Sequence, residues 1–250
     1  MKILLSPAKK LNFENPSLSL EASSPAFLSE ADSLAKKLNT ISAKSLSEMM
    51  HLSEALTSLN KDRYAQWETA PQKEAVLAFN GDVYLGLNAN NWKKTDLEYS
   101  QSQIRILSGL YGILKPLDLI KPYRLEMGSK WSLTKTKTNL YKHWGNTIAT
   151  QLESEMKKED VIINLASAEY SKVLLPHLSP ERKVITAEFK DFRNGQLKMI
   201  QIFVKKARGM MAKFIIEEKI SDEKDLIKFD KEGYQFDGNL STENKLVFTR

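Results

Sequence analysis

Cysteine is absent from all 250 residues. That rules out disulfides, thiolate zinc or iron–sulfur ligands, haem attachment through cysteine and a peroxidatic thiol. Histidine is scarce: His51, His143 and His177 lie far apart with no partner at ligand spacing, so neither a metal site nor a cofactor is expected. No apolar run is long enough to cross a bilayer. The opening Met1-Lys2-Ile3-Leu4-Leu5-Ser6-Pro7 reads as a short strand stopped by proline rather than a signal peptide, so a cytoplasmic protein is expected. Internal repeats, low-complexity stretches and clean linkers are also missing. We expect one domain over residues 1–250, with two lobes around a cleft as a variant of that plan.

What is there in excess is positive charge, and it is unevenly placed. Lys and Arg total 37 against 31 Asp and Glu, a net charge of +6. Acids lead between Glu14 and Glu54, whereas Arg105 to Lys137 holds seven cations against Asp118 and Glu126, and Lys190 to Lys213 holds seven against Asp191. Two basic stretches so far apart in sequence suggest one positive face or cleft once folded; two separate solvated faces is the alternative.

The densest segment runs from Ile104 to Gly128. It interleaves hydrophobes with Arg105, Lys115, Lys121 and Arg124, and places Gly109 and Gly112 around Leu110-Tyr111. Glycines at that spacing allow a sharp turn whose amides can face a phosphate while neighbouring cations neutralise it. Leu107-Ser108-Gly109-Leu110-Tyr111-Gly112 is similar to the hairpin of helix-hairpin-helix DNA-binding motifs, although its glycines are spaced Gly-x-x-Gly. A tight turn between two buried elements, with Tyr111 as packing, is the competing reading.

Periodicity predicts an α/β fold: a mixed sheet core flanked by helices. Strands are expected at Lys2 to Leu5, Val76 to Phe79, Ile104 to Leu107, Val161 to Ala166, and in a hairpin from Lys183 to Val204 turning at Asn194-Gly195. Two closing strands are expected around Asp237-Gly238. Helices are expected from Ser24 or Pro25 to Leu38, Ser45 to His51, Ser53 to Trp67, and Thr95 towards Gln103. Leu140, Trp144, Ile148, Leu152 and Met156 recur every four residues and predict one helix over Asn139 to Lys157. Ser167 is placed to cap the short helix after the Val161 strand. In the helix after the hairpin, Lys205, Lys206 and Arg208 are expected in the first turn, where they oppose the macrodipole and anticipate a bound anion.

Taken together, Ser6-Pro7-Ala8-Lys9, Phe79-Asn80-Gly81-Asp82-Val83-Tyr84, Leu107 to Gly128, Asn164-Leu165-Ala166-Ser167, Lys206-Ala207-Arg208-Gly209 and the terminal Phe248-Thr249-Arg250 resemble the YaaA family of bacterial peroxide-stress proteins. The likeness spans essentially the whole chain in order. It implies an unusual α/β architecture with a positively charged cleft that binds double-stranded and branched DNA. It also implies a cytoplasmic role in hydrogen peroxide stress, keeping free iron low and so limiting Fenton damage. No reaction comes with the resemblance, and the absence of a thiolate or a ligand set makes any effect on iron indirect.

The residues read as DNA- or anion-binding are Lys9, Lys10, Arg105, Gly109, Tyr111, Gly112, Lys115, Arg124, Lys130, Lys172, Lys190, Arg193, Lys205, Lys206, Arg208 and Lys213, which neutralise phosphates without reading bases. Tyr111, Tyr123 and Trp131 are candidates to stack on unpaired bases, or else core residues. Two further readings stay open. In one, Lys9, Asn80, Asp82 and Glu169, with Asn164 and Ser167, converge as the pocket of a nucleic-acid-modifying enzyme. In the other, a narrower pocket holds a small anionic metabolite.

Overall fold

A computed structural model describes residues 1–14 and 21–250. In chain order its strands are β1 (Lys2–Leu5), β2 (Lys10–Leu11), β3 (Lys73–Glu74), β4 (Phe79–Asn80), β5 (Ile104–Ser108), β6 (Gly112–Leu114), β7 (Leu119–Ile120), β8 (Ile162–Asn164), β9 (Val184–Arg193), β10 (Gln196–Lys198), β11 (Gln235–Phe236) and β12 (Lys245–Thr249). An eight-stranded mixed sheet runs β11-β12-β9-β8-β1-β5-β6, with β10 paired to β9. The inner strands β12, β9, β8, β1 and β5 are parallel, and β11 and β6 close the edges antiparallel. Short ladders join β2 to β4 and β3 to β7. β1, β5 and β8 are buried along their whole length, as expected of parallel strands covered on both faces.

The helices are α1 (Leu28–Thr40), α2 (Ala43–Met50), α3 (Glu54–Ala65), α4 (Ala75–Ala78), α5 (Asp82–Leu87), α6 (Lys94–Gln103), α7 (Leu140–Trp144), α8 (Thr147–Ser154), α9 (Ala168–Ser171) and α10 (Gln201–Glu217). Ser42 and Ser53 cap α2 and α3 through their side chains. None of the described helices is long and apolar enough to cross a membrane.

Five expectations need correction. The second strand of the Asn194-Gly195 hairpin ends at Lys198 rather than Val204, because α10 begins at Gln201. Val76 to Ala78 is a single helical turn, with only Phe79 and Asn80 extended, because a four-residue apolar run carries no period of its own. The Asn139 to Lys157 ridge is two helices broken at Gly145, which takes φ +49°, although Leu140, Trp144, Ile148 and Leu152 all remain buried. α10 begins at Gln201, so Lys205, Lys206 and Arg208 lie beyond its first turn and no dipole argument applies to them. The Leu107 to Gly112 element is a turn between strands β5 and β6, without the flanking helices of a helix-hairpin-helix. Its Ser108 Oγ accepts the amides of Leu110 and Tyr111, Tyr111 is fully buried, and a Cβ on Gly109 would stand 2.5 Å from the Leu125 carbonyl. Gly112 has φ +70° beneath the Trp144 ring. These glycines serve packing.

One contact positions the site described below. α5 and α10 cross at Gly86 and Gly209, where a Cβ would stand 2.1 Å from the Lys206 carbonyl oxygen and 1.8 Å from that of Val83. Backbones approach this closely only without side chains between them. The crossing sets Asp82 and Val83 beside the turns of α10 that carry Lys205 and Arg208.

Candidate functional site

Connections from β1 lead to β5 on one side of the sheet and those from β8 lead to β9 on the other, so adjacent β1 and β8 form a topological switch point. The crevice outside the carboxyl ends of such strands is where open α/β sheets hold ligands. Here Ser6 follows β1 and Ser167 follows β8. Ser6 Oγ accepts the Ser167 amide at 2.9 Å and donates to Ser167 Oγ at 3.3 Å, while Tyr84 donates its hydroxyl to the Ser6 carbonyl at 3.0 Å. Ser167 therefore bonds across the crevice and its side chain does not cap α9. Asn164 is turned inward and accepts the Ala166 amide at 3.1 Å.

A cavity of about 490 Å³ opens on this stitched edge. Its walls include Ser6, Pro7, Lys9 and Lys10 after β1, Asn80, Asp82, Val83 and Leu85 around α5, Tyr123 to Glu126, Ser167, Glu169 and Tyr170, and Lys205 and Arg208 of α10. Lys10 pairs with Asn80 in the β2–β4 ladder, which sets those two side by side. Burial alternates from Lys121 to Met127, with Tyr123, Leu125 and Met127 inward and Arg124 and Glu126 outward. That period of two makes Arg124 and Glu126 neighbours.

The charges sort into two groups. Glu126 accepts from Arg124 Nη2 at 2.7 Å and lies 2.6 Å from Lys9 Nζ. Burial raises its pKa, but the hydrogen bonds from Lys9 and Arg124 outweigh that and hold it below the usual carboxylate range. Glu169 Oε1 accepts the Gly128 amide at 2.9 Å. By contrast, none of Lys10, Lys205 and Arg208 lies within ion-pair distance of a carboxylate among the described residues. Arg208 is the sharpest case: its Nε is buried with no hydrogen-bond partner, and burial pulls the guanidinium below its ordinary value, against a weaker upward pull from Glu188.

Of the residues marked from sequence, Lys9, Lys10, Asn80, Asp82, Arg124, Glu169, Lys205 and Arg208 therefore share one cavity. Lys9 is 64% exposed, at the rim rather than in a closed pocket. Lys206 and Lys213 line an adjoining cavity of about 410 Å³, where Lys206 lies 2.5 Å from Glu232 and Lys213 lies 3.7 Å from Glu217. Lys130 is exposed, Lys172 sits over the Tyr141 ring at 4.2 Å, Lys190 is 3.7 Å from Glu188, and Arg193 is exposed at the end of β9. Arg105 and Lys115 lie towards the opposite edge of the sheet, both against Glu155, and Arg105 is buried. Gly109, Tyr111 and Gly112 are core residues, and the Tyr111 hydroxyl oxygen accepts the Lys121 amide at 3.0 Å. Tyr123 and Trp131 are buried as well, Tyr123 in hydrogen bond with Ser108 at 2.7 Å.

Sequence reasoning missed Glu126 and Ser6. Glu126 had a signal, an acid two residues after an arginine in an apolar-alternating stretch; Ser6 had only its place at the end of a strand. Among the described residues no three His, Asp or Glu side chains gather as a metal-holding group.

Comparison with known proteins fixes the family. The family described as Peroxide stress protein YaaA matches residues 1–240. The chain belongs to this YaaA family. It is 46% identical to a UPF0246 protein of Tolumonas auensis, over 100% of this chain and 98% of that one, and 47% identical to a UPF0246 protein of Flavobacterium johnsoniae, over the full length of both. A UPF0246 protein of Bordetella petrii is 44% identical over 100% of this chain and 99% of its own. A general role in peroxide stress goes with YaaA membership.

Proposed function

We propose that the cavity and its rim bind DNA through the sugar-phosphate backbone, duplex and branched, with little base preference, and that the protein acts in peroxide stress by shielding DNA. The observation that carries this reading is the set of cations without a counter-ion among the described residues, Lys10, Lys205 and Arg208, on one cavity edge, with Lys9 at the rim. Each phosphate neutralised by Lys or Arg releases condensed cations, so occupancy would leave fewer cations at the DNA, redox metals among them, without removing them from solution. Any effect on free iron is thereby indirect.

Affinity for a duplex and for a four-way junction, measured against salt, tests the proposal. The expected slope of log K on log salt corresponds to about four to six released counterions. Lys10→Glu with Lys205→Glu should weaken both complexes and flatten that slope. An unchanged slope in this double variant would remove the cavity from the interface.

A further inference from the structure

The cavity carries more information than its positive rim, because it is chemically two-sided. Lys10, Lys205 and Arg208 have no carboxylate partner among the described residues, yet Asp82, Glu126 and Glu169 line the same space. Glu126 is already matched by Lys9 and Arg124, but a ligand that is anionic throughout would be repelled by Asp82 and Glu169, while a neutral one leaves the buried Arg208 Nε unanswered. The occupant must have an anionic end and an uncharged part rich in hydrogen-bond donors. Among the described residues none donates a hydrogen bond to the Asp82 side chain, and Glu169 accepts only the Gly128 amide, on Oε1, so both hold acceptor capacity. Leu85 is 64% exposed at the mouth, an apolar side chain among charges, and Pro7, Val83, Tyr123 and Tyr170 add further apolar and aromatic wall. At about 490 Å³ the space has the size of a small-ligand site, so a duplex can lie across its rim but cannot enter it.

We propose that the cavity seats one nucleotide unit: its phosphate on Arg208, Lys205 and Lys10, its base against Leu85 and the tyrosines, and its sugar or base donors on Asp82 and Glu169. The proposal rests on the same cations as the DNA reading and deepens it. The unit is either a free nucleoside monophosphate or an unpaired nucleotide of a DNA strand, which share this chemistry.

Calorimetric titration of the full chain with the four deoxynucleoside monophosphates, the matching deoxynucleosides and inorganic phosphate separates the contributions. At least one monophosphate should bind 1:1 and about tenfold or more tighter than either inorganic phosphate or its own nucleoside. Arg208→Gln should weaken it by about tenfold or more without lowering the melting temperature, and Leu85→Glu, at an exposed position, should do the same by blocking the mouth. For the strand-borne source, a duplex with one unpaired nucleotide should bind more tightly than its fully paired parent, and the monophosphate should erase that difference. Monophosphate binding without DNA binding would uphold the seat, assign the free source and remove the DNA reading. DNA binding that falls with Arg208→Gln but does not respond to monophosphates, to an unpaired nucleotide or to Leu85→Glu would overturn the seat and leave the DNA reading standing. Inorganic phosphate binding as tightly as the nucleotides would also overturn it.

Discussion

The two edges of the central sheet treat the same side chains in opposite ways. Towards the amino edge, Lys2 donates to the Ser102 carbonyl at 2.6 Å, and Arg105 donates from Nε to Glu155 at 2.7 Å and from Nη1 to the Gln101 carbonyl at 2.9 Å. The chain's own ammonium group meets Asp160 at 2.7 Å. At the carboxyl edge, Lys10, Lys205 and Arg208 have no such partners among the described residues, and Arg208 is partly desolvated all the same. Cation count cannot separate these regions. The partner can: a buried cation that is paired belongs to the fold, whereas one left unpaired beside a cavity costs stability that only a ligand repays.

The comparison breaks most readily at Arg105. Arg105→Met strands the Glu155 carboxylate and should lower stability by about 3–5 kcal/mol in urea unfolding, with Glu155→Gln added to it restoring a good part. DNA affinity of the folded fraction should not change, and a loss of affinity there would return Arg105 to the binding surface. Next in size is Gly209→Ala, where a methyl group meets the Val83 carbonyl oxygen and should cost about 2–3 kcal/mol, with binding weakened too because α5 and α10 move apart.

The contrast between edges explains what the sequence disclosed. The buried strands were readable because β1, β5 and β8 are mostly Ile and Leu, and the turn between β9 and β10 because Asn194-Gly195 supplies two consecutive positive φ angles. The convergence of Lys9, Asn80, Asp82 and Glu169 was legible in outline, since each follows or flanks a strand end. The fate of Arg105 was not: Glu155 lies fifty residues away on the loop after α8, and nothing local to either residue announces the pair. The glycines of the Leu107 to Gly112 turn misled for a related reason. A glycine that admits a phosphate and one that admits a carbonyl or a tryptophan ring look alike until the neighbour is known.

A smaller effect tests the amino edge through pH. Burial, then the Arg105 charge, lowers the pKa of Lys2 to about 8 from 10.5. Between those values the unfolded chain holds a proton that the folded chain has released, so stability rises with pH across that window and is flat in this respect below it. The rise should be on the order of 1–2 kcal/mol and absent in Lys2→Met, read as the difference between the two proteins in urea unfolding at pH 7.5 and 10.

The smallest effect has the opposite sign. Arg208→Met keeps the length of the side chain and removes a guanidinium whose Nε has no partner, so in the free protein it relieves desolvation and breaks no ion pair. Stability should stay level or rise by about 1 kcal/mol, even as affinity for nucleotide and DNA falls. A matched substitution at Arg105 destabilises without touching binding, so the pair forms a crossed test in which each variant moves one measurement and spares the other. Destabilisation at Arg208 comparable to that at Arg105 would mean that its guanidinium serves the fold, and the distinction between the two edges would collapse.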